Sequence, residues 1–173
     1  MLTGAPLRNT CYNSYIYRMT PHLRDEIKQT RPFDHPADEA LLSILRTATM
    51  LEHAFNELLR RFGVTMTQYN VLRILRGAGA RGLCGREVGE RLISRVPDVS
   101  RLLDRMAEMG LLAKERDADD RRHVTARITP KGVRVLTRAT PAITEYGRAR
   151  AQRLSARTVE TLVEGLEAIR EGE

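Results

Sequence analysis

The sequence predicts a mainly α-helical chain with one small β element, and three observations predict it. Apolar residues recur at three- and four-residue steps through Leu41, Leu42, Leu45, Ala48, Leu51, Phe55, Leu58, Leu59 and Phe62, the spacing of one helical face. The same spacing returns towards the C-terminus, at Val159, Leu162, Val163, Leu166 and Ile169. Between these helical stretches, two short runs, 111–116 and 123–128, read as strands flanking the charged segment Asp117-Ala118-Asp119-Asp120-Arg121-Arg122.

Composition bounds what such a chain can do. Its 173 residues are 42% hydrophobic, enough for the core of one domain. Trp is absent and aromatics make up 5%, so the core is built from aliphatic side chains. A net charge of +7 is compatible with a polyanionic partner, because Lys and Arg neutralise phosphates and release counterions. No stretch approaches the roughly 20 apolar residues needed to span a bilayer. The N-terminus shows no apolar core of a secretory signal. Two distant cysteines, Cys11 and Cys84, make neither a disulfide scaffold nor a zinc cluster. A reducing cytoplasm is therefore expected.

In chain order, residues 1–36 stand apart as an N-terminal extension. Residues 1–18 lack a helical period, and Met19 reads as an alternative start, which would make 1–18 an over-extended N-terminus. Thr20-Pro21 can open a short helix with Leu23 and Ile27 on its apolar side, and 31–36 reads as an extended linker. The first long helix then covers about 24 residues, or roughly 36 Å. That exceeds what a small core needs, so part of it should pack elsewhere. It stops near Gly63.

Thr65-Met66-Thr67-Gln68 fits a capping box, and a short helix with Tyr69, Val71, Leu72 and Leu75 apolar follows. The glycines at 77, 79 and 82 form a turn. No Gly-Lys-Ser/Thr accompanies them, so they are not a phosphate loop. Leu83-Cys84 gives a minimal strand, and Cys84-Gly85-Arg86-Glu87 opens another short helix with Val88, Leu92 and Ile93 expected inside. Ser94-Arg95-Val96 turns into a third helix at about 97–109, with Pro97 at its first position and Asp98 near the positive end of its dipole. Ser100, Arg101, Asp104 and Arg105 share one side of it; Val99, Leu102, Leu103 and Met106 share the other. Gly110 ends it in the left-handed position.

Two short helices, a turn and a third helix make a helix-turn-helix, and the charged hairpin behind it makes the unit a winged helix. After the hairpin, Thr129-Pro130 starts a long helix that Pro141 should kink, and Ser155 caps a last one. No sheet awaits these terminal helices. Their apolar stripes most simply pair with the first long helix, within the chain and across a two-fold axis.

This layout points to double-stranded DNA. A major groove admits one α-helix, and the hairpin tip can reach the neighbouring minor groove. Arg95, Ser100 and Arg101 lie at or near the N-terminal half of the third helix. An arginine there can bind guanine O6 and N7 bidentately, and Ser100 a base or a phosphate. Asp98 can accept from a cytosine amino group or orient an arginine. Arg105, one turn on, suits a phosphate or a partnership with Asp104. The acidic tip is no calcium loop, lacking the glycine and glutamate that such a loop places at its sixth and twelfth positions. His22, His35, His53 and His123 show no metal-ligand spacing, and His53 reads as a partly buried helix residue. No cofactor is indicated. No nucleophile–base or carboxylate pair stands out, so no enzyme is expected. Cys84, at a helix N-cap where the dipole favours a thiolate, is the candidate redox sensor.

Particular segments also carry a family resemblance. Thr67-Gln68-Tyr69-Asn70-Val71-Leu72 resembles the helix-two signature of the MarR family of bacterial transcription regulators. Pro97-Asp98-Val99-Ser100-Arg101-Leu102-Leu103-Asp104-Arg105-Met106 resembles its recognition helix, and Glu108-Met109-Gly110-Leu111-Leu112 the exit. Arg116-Asp117 through Asp120-Arg121-Arg122, then Ile128-Thr129-Pro130-Lys131-Gly132, resembles its wing and the start of the next helix. The resemblance spans about 37–172.

It implies a winged helix-turn-helix at 64–129 between dimerisation helices at 37–63 and 130–173. It also implies a homodimer on a palindromic operator, usually repressing, and often a small aromatic or anionic effector in a cleft near the dimerisation helices. By the same resemblance Arg122 enters the minor groove, Asp120 braces it and Arg121 is next in line. Cys11 lies too far upstream of Gln68-Tyr69 to match the family's N-terminal peroxide-sensing cysteine. A dimeric architectural protein that coats DNA without ligand control is the alternative.

Overall fold

The computed structural model describes residues 23–116 and 124–171. Cys11, the Thr20-Pro21 helix start and the wing-tip residues Asp120, Arg121 and Arg122 lie outside the described residues. The chain falls into two compact units, Met1–Met50 and Leu51–Glu173. Within the first, a one-turn helix α1 (Leu23–Glu26) precedes the opening half of α2 (Pro36–Arg60), and Glu26 accepts from Arg46 Nε at 3.5 Å. Leu23 is buried, but Ile27, expected beside it, is exposed.

The second unit holds the winged helix-turn-helix. Its elements run α3 (Met66–Ala78), a 3₁₀ turn (Gly79–Arg81), β1 (Leu83–Cys84), α4 (Gly85–Arg91), α5 (Val99–Glu108), β2 (Leu112–Arg116), β3 (Val124–Ile128), α6 (Pro130–Ala151) and α7 (Ala156–Arg170). The strands form one antiparallel sheet in the order β1-β3-β2, with Leu83 opposite Ala126 and Lys114 opposite the same residue from the other side. Most of these elements, though not the 3₁₀ turn or α7, supply buried apolar groups to one cluster. Leu59 comes from the end of α2, Leu72 and Leu75 from α3, Val88 from α4, Leu103 and Met106 from α5, Ala126 from β3 and Leu136 from α6. Among the described residues no helix is long and apolar enough to cross a membrane.

Local chemistry sets the boundaries. Thr65 and Gln68 form the full capping box, with Gln68 N–H donating to Thr65 Oγ1 at 3.2 Å and Thr65 N–H to Gln68 Oε1 at 2.9 Å. Thr129 accepts from Gly132 N–H with Pro130 in the first turn, and Ser155 accepts from Thr158 N–H. Pro141 lies inside α6 without ending it.

The exit of α5 is a Schellman motif. Gly110 has φ +70°, its N–H reaches Ala107 O at 2.8 Å, and Leu111 N–H reaches Met106 O at 3.0 Å. Two remaining carbonyls are met from the start of α6, Met109 O by Lys131 Nζ and Gly110 O by Thr129 Oγ1, each at 2.7 Å. Gly132 completes this junction, because a Cβ there would fall 2.1 Å from Leu111 O.

Candidate nucleic-acid interface

Helix α5 is held by its apolar side. Leu102, Leu103 and Met106 are buried, while Ser100, Arg101, Asp104 and Arg105 are exposed on the opposite side. The turn between α4 and α5 carries Arg95, also exposed, to the start of the same helix. The fold thus gathers Arg95, Asp98, Ser100 and Arg101 at the N-terminal end of α5, with Arg105 one turn later. β2 ends at Arg116 and β3 begins at Val124, and Asp120, Arg121 and Arg122 fall between them in the sequence.

Two expectations about this helix change. Pro97 is not its first residue. Asp98 is the N-cap, and its Oδ1 accepts Arg101 N–H at 2.8 Å. Aspartate is among the strongest N-caps, so it outcompetes proline for the boundary. One carboxylate oxygen of Asp98 is therefore committed to holding the helix end. Asp104, in turn, pairs with Lys114 on β2 rather than with Arg105. Adjacent helix residues point apart, whereas β2 packs directly on α5.

The other acids nearby are also engaged away from the α5 arginines. Glu87 pairs with Arg81, Glu90 with Arg86 at 2.8 Å, and Glu115 with Arg127. Among the described residues Arg95, Arg101 and Arg105 form no salt bridge, which leaves their charge directed at solvent.

The cap of α4 is built from Cys84 and Glu87, with Cys84 N–H donating to Glu87 Oε2 at 2.9 Å. That backbone donor, helped by the nearby Arg81 and Arg91, holds the Glu87 carboxyl below the ordinary glutamate range. Cys84 itself is half-buried and free. Ile93, expected inside, is 73% exposed. The helix has already ended at Arg91, and Leu92 is extended, so the period that would bury Ile93 has stopped.

Sequence reasoning missed one residue of this site. Asn70, on α3, is the buried polar side chain among the described residues, and its Oδ1 accepts Ile93 N–H at 3.1 Å. The signal was a polar residue on a helix whose neighbours Tyr69, Val71 and Leu72 are all core.

His53, read as partly buried, is exposed on α2. Among the described residues no cluster of His, Cys, Asp or Glu is placed to hold a metal ion. Away from α5, α3 and α6 flank an open cleft of about 430 Å³ lined by Arg73, Arg76, Leu136, Thr137, Thr140 and Pro141. Tyr69 and Thr140 hydroxyls meet at its edge, 3.1 Å apart.

Residues 62–123 match the model of the MarR family. An uncharacterised HTH-type transcriptional regulator of Bacillus subtilis, YkoM, is 30% identical over 90 residues, which is 52% of this chain and 56% of that protein. The chain therefore spans little more than half the length of that curated relative. Among solved structures, a MarR-family transcriptional regulator from Streptomyces coelicolor in complex with DNA is 26% identical, with a TM-score of 0.69. That likeness covers 83% of this chain and 92% of that one. An organohalide-sensing transcriptional regulator in its 2,4-dichlorophenol-bound form has a TM-score of 0.73 at 17% identity, covering 83% of this chain and 87% of its own. The sequence signatures, the capped α5 and the three-stranded sheet thus agree with the MarR-family model over 62–123, and the fold is that of solved MarR-family winged-helix regulators.

Proposed function

We propose that this protein is a ligand-responsive repressor that binds a palindromic DNA operator as a homodimer through 64–129. The observation that carries the reading is α5. It is a helix fixed by three buried residues that presents Ser100, Arg101 and Arg105, none held in a salt bridge among the described residues, on its open side. Arg95, Asp98, Ser100 and Arg101 meet the major groove, and Asp98 does so while capping its helix. Arg105 meets the backbone. Arg122, with Asp120 and Arg121 beside it, reads the minor groove.

The helices at 37–63 and 130–173 form the dimer. Leu41 and Leu45 in the first unit, and Leu162 and Val163 in the second, are each exposed in the single chain, apolar side chains that a second copy would cover. The Arg73–Arg76 cleft is the effector site, and its two guanidinium groups suit an anionic or phenolate ligand. The dichlorophenol bound by one structural neighbour is consistent with that chemistry.

The test is a footprint on the DNA upstream of the protein's own gene, repeated with phenolic ligands. Protection of a palindrome with half-sites about one helical turn apart is expected, with release by ligand. Equal affinity for unrelated duplexes would instead support an architectural protein.

A further inference from the structure

We propose that Asn70 is a positioning residue that sets sequence discrimination, by fixing the turn that delivers α5; this rests on the DNA-binding reading above. A turn of this kind is usually pinned by burying its apolar side chains. Here Leu92 and Val96 are half-buried, but Ile93 points outward, 73% exposed, and its backbone N–H points inward instead. Asn70 Oδ1 receives that N–H at 3.1 Å.

Between the end of α4 and the first turn of α5, no backbone N–H of residues 93–98 donates to another backbone carbonyl among the described residues. Asn70 therefore supplies a directional bond that the turn's own backbone does not make. It does so from a rigid base. Asn70 sits on α3 between Tyr69 and Val71, both buried, and is itself 8% exposed.

The consequence follows from how each contact tolerates error. An arginine bidentate to guanine needs both N–H groups aligned with O6 and N7. A phosphate contact is a charge on a flexible stem and accepts a displaced helix. Loosening the turn that carries Arg95 and ends at the Asp98 cap should therefore degrade base readout and spare backbone binding.

The experiment uses the full chain and the palindrome that wild type recovers from a random duplex pool. Asn70→Leu removes the acceptor at similar volume, and Asn70→Asp keeps an oxygen acceptor. We expect Asn70→Leu to weaken palindrome binding by about 10-fold. Affinity for a scrambled duplex, and the slope of log K against log salt, should stay as in wild type. Asn70→Asp should restore most of the discrimination. An Asn70→Leu protein that keeps the wild-type ratio, or loses both duplexes equally, overturns the inference.

If that variant does not fold, amide exchange on wild type decides. The Ile93 amide should exchange more slowly than those of Ser94 and Arg95, and equal exchange overturns the inference. A wild type that recovers no preferred sequence fails at the earlier step and overturns the DNA reading itself.

Discussion

Arg101 and Arg105 lie four positions apart on the exposed side of one helix, yet their backbone surroundings differ. Arg101 is in the first turn of α5, with its own N–H locked to the Asp98 cap, so its side chain leaves from a fixed backbone. Arg105 is in the last turn, beside the carbonyl end of the helix. We expect Arg101→Ala to cost roughly 1–3 kcal/mol on the palindrome and to relax base preference at one position of each half-site. Arg105→Ala should weaken all duplexes alike and reduce the salt slope by about 1 per protomer. Binding titrations at several salt concentrations on matched and mutated duplexes separate the two outcomes. If Arg105→Ala relaxes preference and Arg101→Ala does not, the roles are reversed. At this scale the sequence was legible where chemistry is local. The Thr65–Gln68 box and the Thr129 and Ser155 caps all act between residues three apart. The bonds from Asn70 to Ile93 and from Lys114 to Asp104 join different elements, and no periodicity encodes them.

Elements were legible in kind and misread at their edges. Helix α4 is the clearest case, because it has seven residues, too few for a hydrophobic period to set its phase. Its N-terminus was nonetheless foreseeable from the spacing of Cys84 and Glu87, and that cap makes a pH prediction. The Glu87 carboxyl is held below its ordinary range by the Cys84 N–H first and the nearby arginines after. A group whose folded value is depressed contributes stability that is present above its unfolded value, near pH 4. That stability is lost as pH falls through the folded value. Glu87→Gln keeps an acceptor for Cys84 but cannot titrate. Between pH 6 and pH 3, the melting temperature of wild type should therefore fall further than that of Glu87→Gln. Parallel curves would mean that the charge on Glu87 contributes nothing to the cap. Because the side chain is partly exposed, the difference should be small beside the whole acid transition.

For the whole molecule the decisive feature is what a single chain leaves uncovered. The core of the second unit closes around Leu72, Leu103 and Met106, each 3% exposed or less. Helix α7 closes around nothing of the kind. Val159, Leu162, Val163 and Ile169 are all exposed, and none of its residues is buried. A capped helix of 15 residues with that stripe is only marginally stable in water without a partner. The sequence showed the stripe but not what covers it, since periodicity marks an apolar face and is silent about its occupant. In the proposed homodimer a second copy would supply a two-fold interface in which each residue counts twice. Burying one leucine contributes roughly 1.5–3 kcal/mol, so Leu162→Glu should cost the dimer about 3–6 kcal/mol. That corresponds to a rise of about two to four decades in the dimer dissociation constant. Sedimentation equilibrium should then find wild type dimeric and Leu162→Glu monomeric at the same micromolar concentration. Its helix content should be little changed outside α7. On DNA, the monomer should occupy one half-site with weak affinity, and the full palindrome should lose its advantage. A Leu162→Glu protein that remains dimeric and still protects both half-sites would place the interface elsewhere.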